Sequence, residues 1–292
     1  MAEEIKEIKS HLIDIKRLYS ELNEIVARLQ DTCTPTEIAR MLLTASAEVD
    51  SDKTRASRRH RERLADADAG ADTQVVQVFL DAGADIHLTD GKGYTPLHMA
   101  SKEGHVEVTR ALLAAGAVVG APAGKGRTAL HLAAQSGHTR VITALLQEGA
   151  NLGAVDGRGR TPLHLACEAG RTNVIGMLLD AGSVLNAGDG QGRTPLHLAC
   201  ETGRTEVIHR LLQAGADLEA CDGRGNTPLH LAAHAGKAHV ASVLLDAGAD
   251  LSAVNGRGHT PLHLASESGH NTINRAVMAT FDDINRALEC ES

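Results

Sequence analysis

A four-residue string recurs along this chain at a fixed interval. Thr-Pro-Leu-His begins at Thr95, Thr161, Thr194, Thr227 and Thr260, and Thr-Ala-Leu-His begins at Thr128, so every copy falls on a 33-residue period without insertion or deletion. Such a period means that one supersecondary unit is repeated and buries its apolar face only against its neighbours. The expectation is a one-dimensional stack, not a domain closed around a single centre.

The unit can be built from its residues. Asp156-Gly157-Arg158-Gly159 reads as a tight hairpin tip, because glycine takes up positive φ at little steric cost. Thr161 suits a helix N-cap, with Pro162 at the first helical position, where a missing N–H is harmless. A short helix from Pro162 to Glu168 should stop before Gly170. After Arg171 and Thr172, a second helix carries Val174, Ile175, Leu178 and Leu179 at helical spacing and ends at Ala181-Gly182. Helices shorter than about 12 to 15 residues are marginal alone, so stacking must hold them. Burying Leu163, Leu165, Leu178 and Leu179 between neighbours contributes about 1.5–3 kcal/mol each before entropy is charged. The small Ala166 and Cys167 let adjacent helices approach closely.

These residues resemble the ankyrin repeat family, whose 33-residue unit carries Thr-Pro-Leu-His-x-Ala. The resemblance implies a mainly α solenoid of helix-turn-helix units with short β-hairpin tips. It extends from Asp90 to about Ala287 as six units. A degenerate unit, Ser57 to Thr89, precedes them; it keeps Val75, Val76, Phe79 and Leu80 but has Glu62-Arg63-Leu64-Ala65 in place of the signature, as an N-terminal cap would. The array therefore spans 57–287, with a tail at 288–292.

Before the array, apolar residues at Ile5, Ile8, Leu12, Ile15, Tyr19, Leu22, Val26 and Leu29 alternate steps of three and four. Thr34-Pro35-Thr36-Glu37 then opens a second amphipathic helix with Ile38, Met41 and Leu42 on one face. Residues 1–50 read as an N-terminal amphipathic helical segment, either a helical hairpin docked on the repeats or a coiled coil that self-associates through residues 5–29. A basic linker starts at 51–56. Lys53, Arg55, Arg58, Arg59, Arg61 and Arg63 against Glu62 give a local +5, which suits a nuclear-import or acidic-partner segment or a solvated link.

Composition narrows the function. A net charge of −8 and only 1% aromatic residues argue against a nucleic-acid binder, which needs clustered cations and stacking platforms. The acidic start, Met-Ala-Glu-Glu-Ile-Lys, lacks the basic and apolar regions of a secretory signal, and Ala111 to Gly124 is too short to cross a bilayer, which takes about 20 apolar residues. The chain is expected to be intracellular, in the cytoplasm rather than the nucleus, without membrane contact. Five cysteines at scattered positions include no Cys-x-x-Cys pair. Cys167 and Cys200, equivalent copies, read as small core residues.

Sixteen histidines invite a metal, but His98, His131, His164, His197, His230 and His263 are copies of one position. Stacked copies about 8–10 Å apart cannot share one zinc at about 2.1 Å. The resemblance implies that they bond the turns together. No phosphate loop and no nucleophile set apart by its neighbours is present, so neither catalysis nor a cofactor is expected.

Binding has better support. The resemblance implies that partners meet the hairpin tips and inner helices. Tip residues Lys92, Lys125, Arg158, Arg224 and Arg257, with Gln191 the exception, and the residues before each Thr, Tyr94, Arg127, Arg160 and Arg193 among them, form a cationic ridge. Glu168 and Glu201 either set an acidic patch beside its middle or pair weakly with these cations as ordinary solubilising surface charge. The expected function is a protein-interaction adaptor or scaffold for an acidic or extended partner; the alternative is a structural subunit of a stable assembly. With Arg160 and Arg193 facing solvent, reversing their charge should leave the thermal midpoint nearly unchanged.

Overall fold

A computed structural model describes residues 85–87 and 89–270. The readings for 1–50 and 51–56, the degenerate unit's signature-replacing residues, the second helix of the last unit and the 288–292 tail lie outside the described residues.

Helices follow in pairs: α1 (Pro96–Glu103) and α2 (Val106–Ala114), α3 (Ala129–Ser136) and α4 (Thr139–Gln147), α5 (Pro162–Ala169) and α6 (Thr172–Asp180), α7 (Pro195–Thr202) and α8 (Thr205–Gln213), α9 (Pro228–His234) and α10 (Ala238–Asp246), then α11 (Pro261–Glu267). The odd-numbered helices pack in series as one layer, and each even-numbered helix lies on its own unit's odd partner and on the next even helix. The described chain is a mainly helical solenoid, as the period requires.

Local signals explain the boundaries. Thr161 sits in extended backbone at the α5 N-cap with Pro162 behind it, and Gly170 ends the helix in the left-handed region at φ 76°. Between the layers, Leu163, Cys167, Val174, Ile175 and Leu178 are fully buried, with the equivalent residues of neighbouring units continuing the same core, while Leu165 is equally buried outside that cluster. Leu179 departs from the expectation: it is only partly buried. One residue on from Leu178, it is rotated about 100° around the helix, toward the edge of the apolar stripe.

The tips are tight turns, which corrects the expected β-hairpins. Asp156 N–H donates to the Arg160 carbonyl at 2.9 Å and Gly159 N–H to the Asp156 carbonyl at 2.8 Å, closing five residues with no room for a ladder. An antiparallel bridge joins Ala123 and Arg127, and no strand forms among the described residues. From the second tip to the sixth, each is instead tied to the next. Gly157 N–H donates to Lys125 O (2.7 Å), Gly190 to Arg158 O (2.8 Å), Gly223 to Gln191 O (2.7 Å) and Gly256 to Arg224 O (2.9 Å). The approach demands glycine, since a Cβ on Gly190 would meet Arg158 O at 2.8 Å.

Candidate functional site

The predicted ridge divides into two sets. Lys92, Lys125, Arg158, Arg224 and Arg257 are exposed at the tips, whereas Tyr94, Arg127 and Arg193 are half-buried and Arg160 is buried. None of the five exposed cations forms an ion pair among the described residues. Tyr94 lies edge-on to His98 with ring centroids 6.0 Å apart, so its ring packs on the first tip's own histidine.

Arg160 is the centre of an internal brace. Its Nε and Nη2 donate to Asp156 Oδ2 at 3.1 and 2.9 Å, and its Nη1 donates to Glu168 Oε2 at 2.8 Å. Asp156 Oδ1 accepts the backbone N–H groups of Arg158 and Arg160 at 2.9 and 3.0 Å. Burial pushes the Asp156 carboxyl up, but the hydrogen bonds from Arg160 and the backbone outweigh it and hold the group below its usual range. The next unit repeats the arrangement. Arg193 donates to Asp189 Oδ2 at 3.1 and 2.8 Å and to Glu201 Oε2 at 3.2 Å, and Asp189 is likewise held low by these bonds against the effect of burial.

These contacts correct two expectations. Glu168 and Glu201 do not stand as an acidic patch beside a free cationic ridge; they close the arginines from the inner-helix side. Nor is Arg160 free to be reversed at no cost, because its side chain is 5% exposed and faces Asp156 at 1%. A glutamate there would set three carboxylates together. Sequence reading placed Asp156 in a tip but missed the bracing role it shares with Asp189, whose signal was available: Asp90, Asp156, Asp189 and Asp222 recur five residues before the Thr, with Ala123 and Asn255 as the exceptions.

The histidines join tip to helix. Thr161 N–H donates to His164 Nδ1 at 3.1 Å, so Nδ1 must accept; Nε2 lies 3.0 Å from the Arg193 carbonyl, so Nε2 carries the proton. His131 and His197 repeat this with the carbonyls of Arg160 and Asn226, both at 2.9 Å. Burial lowers the pKa of His98, His131, His164, His197 and His230, partly offset by the carbonyl bonds.

A second periodic position also went unread. His105, His138, Arg171, Arg204, Lys237 and His270 are all basic and stand ten residues after the Thr. His138 Nε2 meets Lys102 O at 3.0 Å and Arg171 Nε donates to Gln135 O at 3.0 Å, so each reaches the C-terminal end of the preceding unit's odd helix. Cationic donors are favoured there by the helix dipole.

No cluster among the described residues has the three His, Cys, Asp or Glu ligands that a metal ion needs. Cys167 and Cys200 are buried free thiols whose pKa burial drives far up, whereas Cys221 is exposed. No helix among the described residues is long and apolar enough to cross a membrane.

Paired short helices joined by bonded tips define a helical repeat solenoid of the kind that offers an extended binding surface. The family profile described as ankyrin repeats (3 copies) matches residues 64–156, 140–222 and 210–286, and the chain belongs to the ankyrin repeat family. A comparison with curated proteins returns no match. Ankyrin repeats generally act as protein–protein interaction modules.

Proposed function

We propose that the array is a scaffold or adaptor that binds a partner protein carrying an acidic, extended segment along its tips and odd-numbered helices. The supporting observation is the row of exposed cations, Lys92, Lys125, Arg158, Arg224 and Arg257, of which the last four stand on tips linked in series by backbone hydrogen bonds. Fixed spacing lets such a surface meet a partner without ordering itself first, which removes part of the entropic cost of association. Arg160, Arg193, Glu168 and Glu201 shape that surface by holding each tip against its helix. Tyr94 and Arg127 border it at the N-terminal end.

The test replaces the five exposed cations with glutamine in the full-length protein and compares proteins captured from a cell lysate. The folded state is checked by circular dichroism. The variant is expected to keep its helical spectrum and lose the captured partners; unchanged capture contradicts the reading.

A further inference from the structure

The second tip departs from the third and fourth at both places where they hold a carboxylate. Ala123 stands where the third and fourth tips have Asp156 and Asp189, and on α3 Gln135 stands where α5 and α7 carry Glu168 and Glu201. Arg127, at the position of Arg160 and Arg193, has neither partner. Its Nη1 donates to the neutral Gln135 Oε1 at 3.0 Å, and its Nε is buried without a hydrogen-bond acceptor. The carboxylate within ion-pair range, Asp156, is 3.8 Å away, with that same Oδ2 already bonded twice by Arg160.

The backbone of this tip differs for the same reason. Ala123 cannot accept the N–H two residues on, as Asp156 does for Arg158 at 2.9 Å. The tip instead closes as a 3-10 turn over Gly124–Gly126, with Lys125 at φ 66°, the one non-glycine residue in the left-handed region among the described residues. Lys92 and Lys125 are exposed on the first two tips, and Lys125 O is bonded to Gly157 N–H, which places Arg158 on the adjoining tip.

We infer that the second tip is the array's receiving site for a carboxylate side chain of the partner protein, which displaces the Gln135 amide oxygen from Arg127 Nη1, the nitrogen that in Arg160 holds Glu168. This rests on the tip-binding reading above. The chemistry is templated within the molecule: two equivalent arginines already bind carboxylates from the helix side, and Gln135, which holds the corresponding place at Arg127, is only half-buried. A planar guanidinium whose Nη1 is held only by a neutral amide binds a carboxylate more strongly than that amide, because the hydrogen bond becomes charge-assisted on both sides.

The probe is fluorescein-labelled hexaglutamate, with hexaglutamine as its neutral control, followed by anisotropy on the full-length protein. Ala123→Asp/Gln135→Glu recreates the third tip and satisfies Arg127 internally. It is expected to weaken hexaglutamate binding about tenfold or more while the unfolding midpoint holds or rises, and Arg127→Gln to weaken it comparably. Asn151→Asp/Gln213→Glu adds the same charge at exposed positions, on the loop after α4 and at the last residue of α8, where screening should limit the loss to about twofold. Equal losses in the two double variants, no loss in the first, or no saturable binding of hexaglutamate to the wild type overturns the inference. Binding lost in the five-cation glutamine variant but kept in Ala123→Asp/Gln135→Glu overturns the second tip alone and leaves the tip-binding reading standing. That reading falls separately if lysate capture is unchanged.

Discussion

Arg127 and Arg160 are one repeat apart at equivalent positions, each followed by a capping Thr and an odd-numbered helix, yet they have different electrostatic surroundings. Arg160 is enclosed by Asp156 and Glu168, and the cluster carries one net negative charge. Arg127 bonds a neutral glutamine, and its nearest carboxylate oxygen, Asp156 Oδ2 at 3.8 Å, is already bonded twice by Arg160. The difference lies in two residues, Ala123 for Asp and Gln135 for Glu. A repeat array can thus brace one position with two carboxylates in some units and hold it with a neutral amide in another. Residue type alone does not say which; the neighbours four residues before and eight residues after do.

The most severe test removes the stack on which these tips rest. Leu196 is 1% exposed, and Leu196→Asp places an unpaired charge between α5, α7 and α9, so a loss of about 4 kcal/mol or more is expected in urea denaturation. Native-like unfolding of that variant contradicts the stacking argument.

Acid should act on the tip-to-helix bonds of both kinds of unit. The folded pKa of five histidines lies below 6.5, so between the folded value and about 6.5 the unfolded chain binds more protons than the folded one. Their contribution is complete above that range and is lost as pH falls through it. Denaturation followed against pH should give a plateau above about pH 7, then a fall steeper than the about 1.4 kcal/mol per pH unit that one group can produce. The Asp156 and Asp189 contributions, of opposite charge type but also from depressed values, go in a separate window at lower pH, in the carboxylate range. A flat profile from pH 7 to 5 rejects the neutral-histidine account.

The arginines themselves should separate next. Arg160→Gln leaves a buried Asp156 with backbone donors only, at a cost of about 3 kcal/mol, while Arg127→Gln costs under about 1 kcal/mol. Equal costs remove the contrast. The smallest effect is a gain: Ala123→Asp restores a side-chain acceptor and lets Lys125 leave positive φ, raising stability by about 0.5–1 kcal/mol in the same assay.

Much of the fold was legible because its signals are local. Thr161, Pro162 and Gly170 mark the ends of α5 within nine residues, and the 33-residue period carries that reading to each neighbour. The brace was less legible because it depends on the tip folding back across its helix, which brings Arg160 to Glu168, eight positions on. The contacts from His138 to Lys102 and from Arg171 to Gln135 span 36 residues each. Their periodic basic character is visible in sequence, but their role follows only from how one unit sits on the last. The exposed set, Lys92, Lys125, Arg158, Arg224 and Arg257, was found from sequence because a tip's outermost residue has nothing to pack against.

The claim that Arg160 is an internal brace is tested most directly by a double-mutant cycle of Asp156→Asn and Arg160→Gln, read as unfolding free energies in urea. A coupling of about 2 kcal/mol or more is predicted, as for residues sharing one buried hydrogen-bonded pair. Additivity within about 0.5 kcal/mol contradicts the brace and returns Arg160 to the solvent-facing ridge.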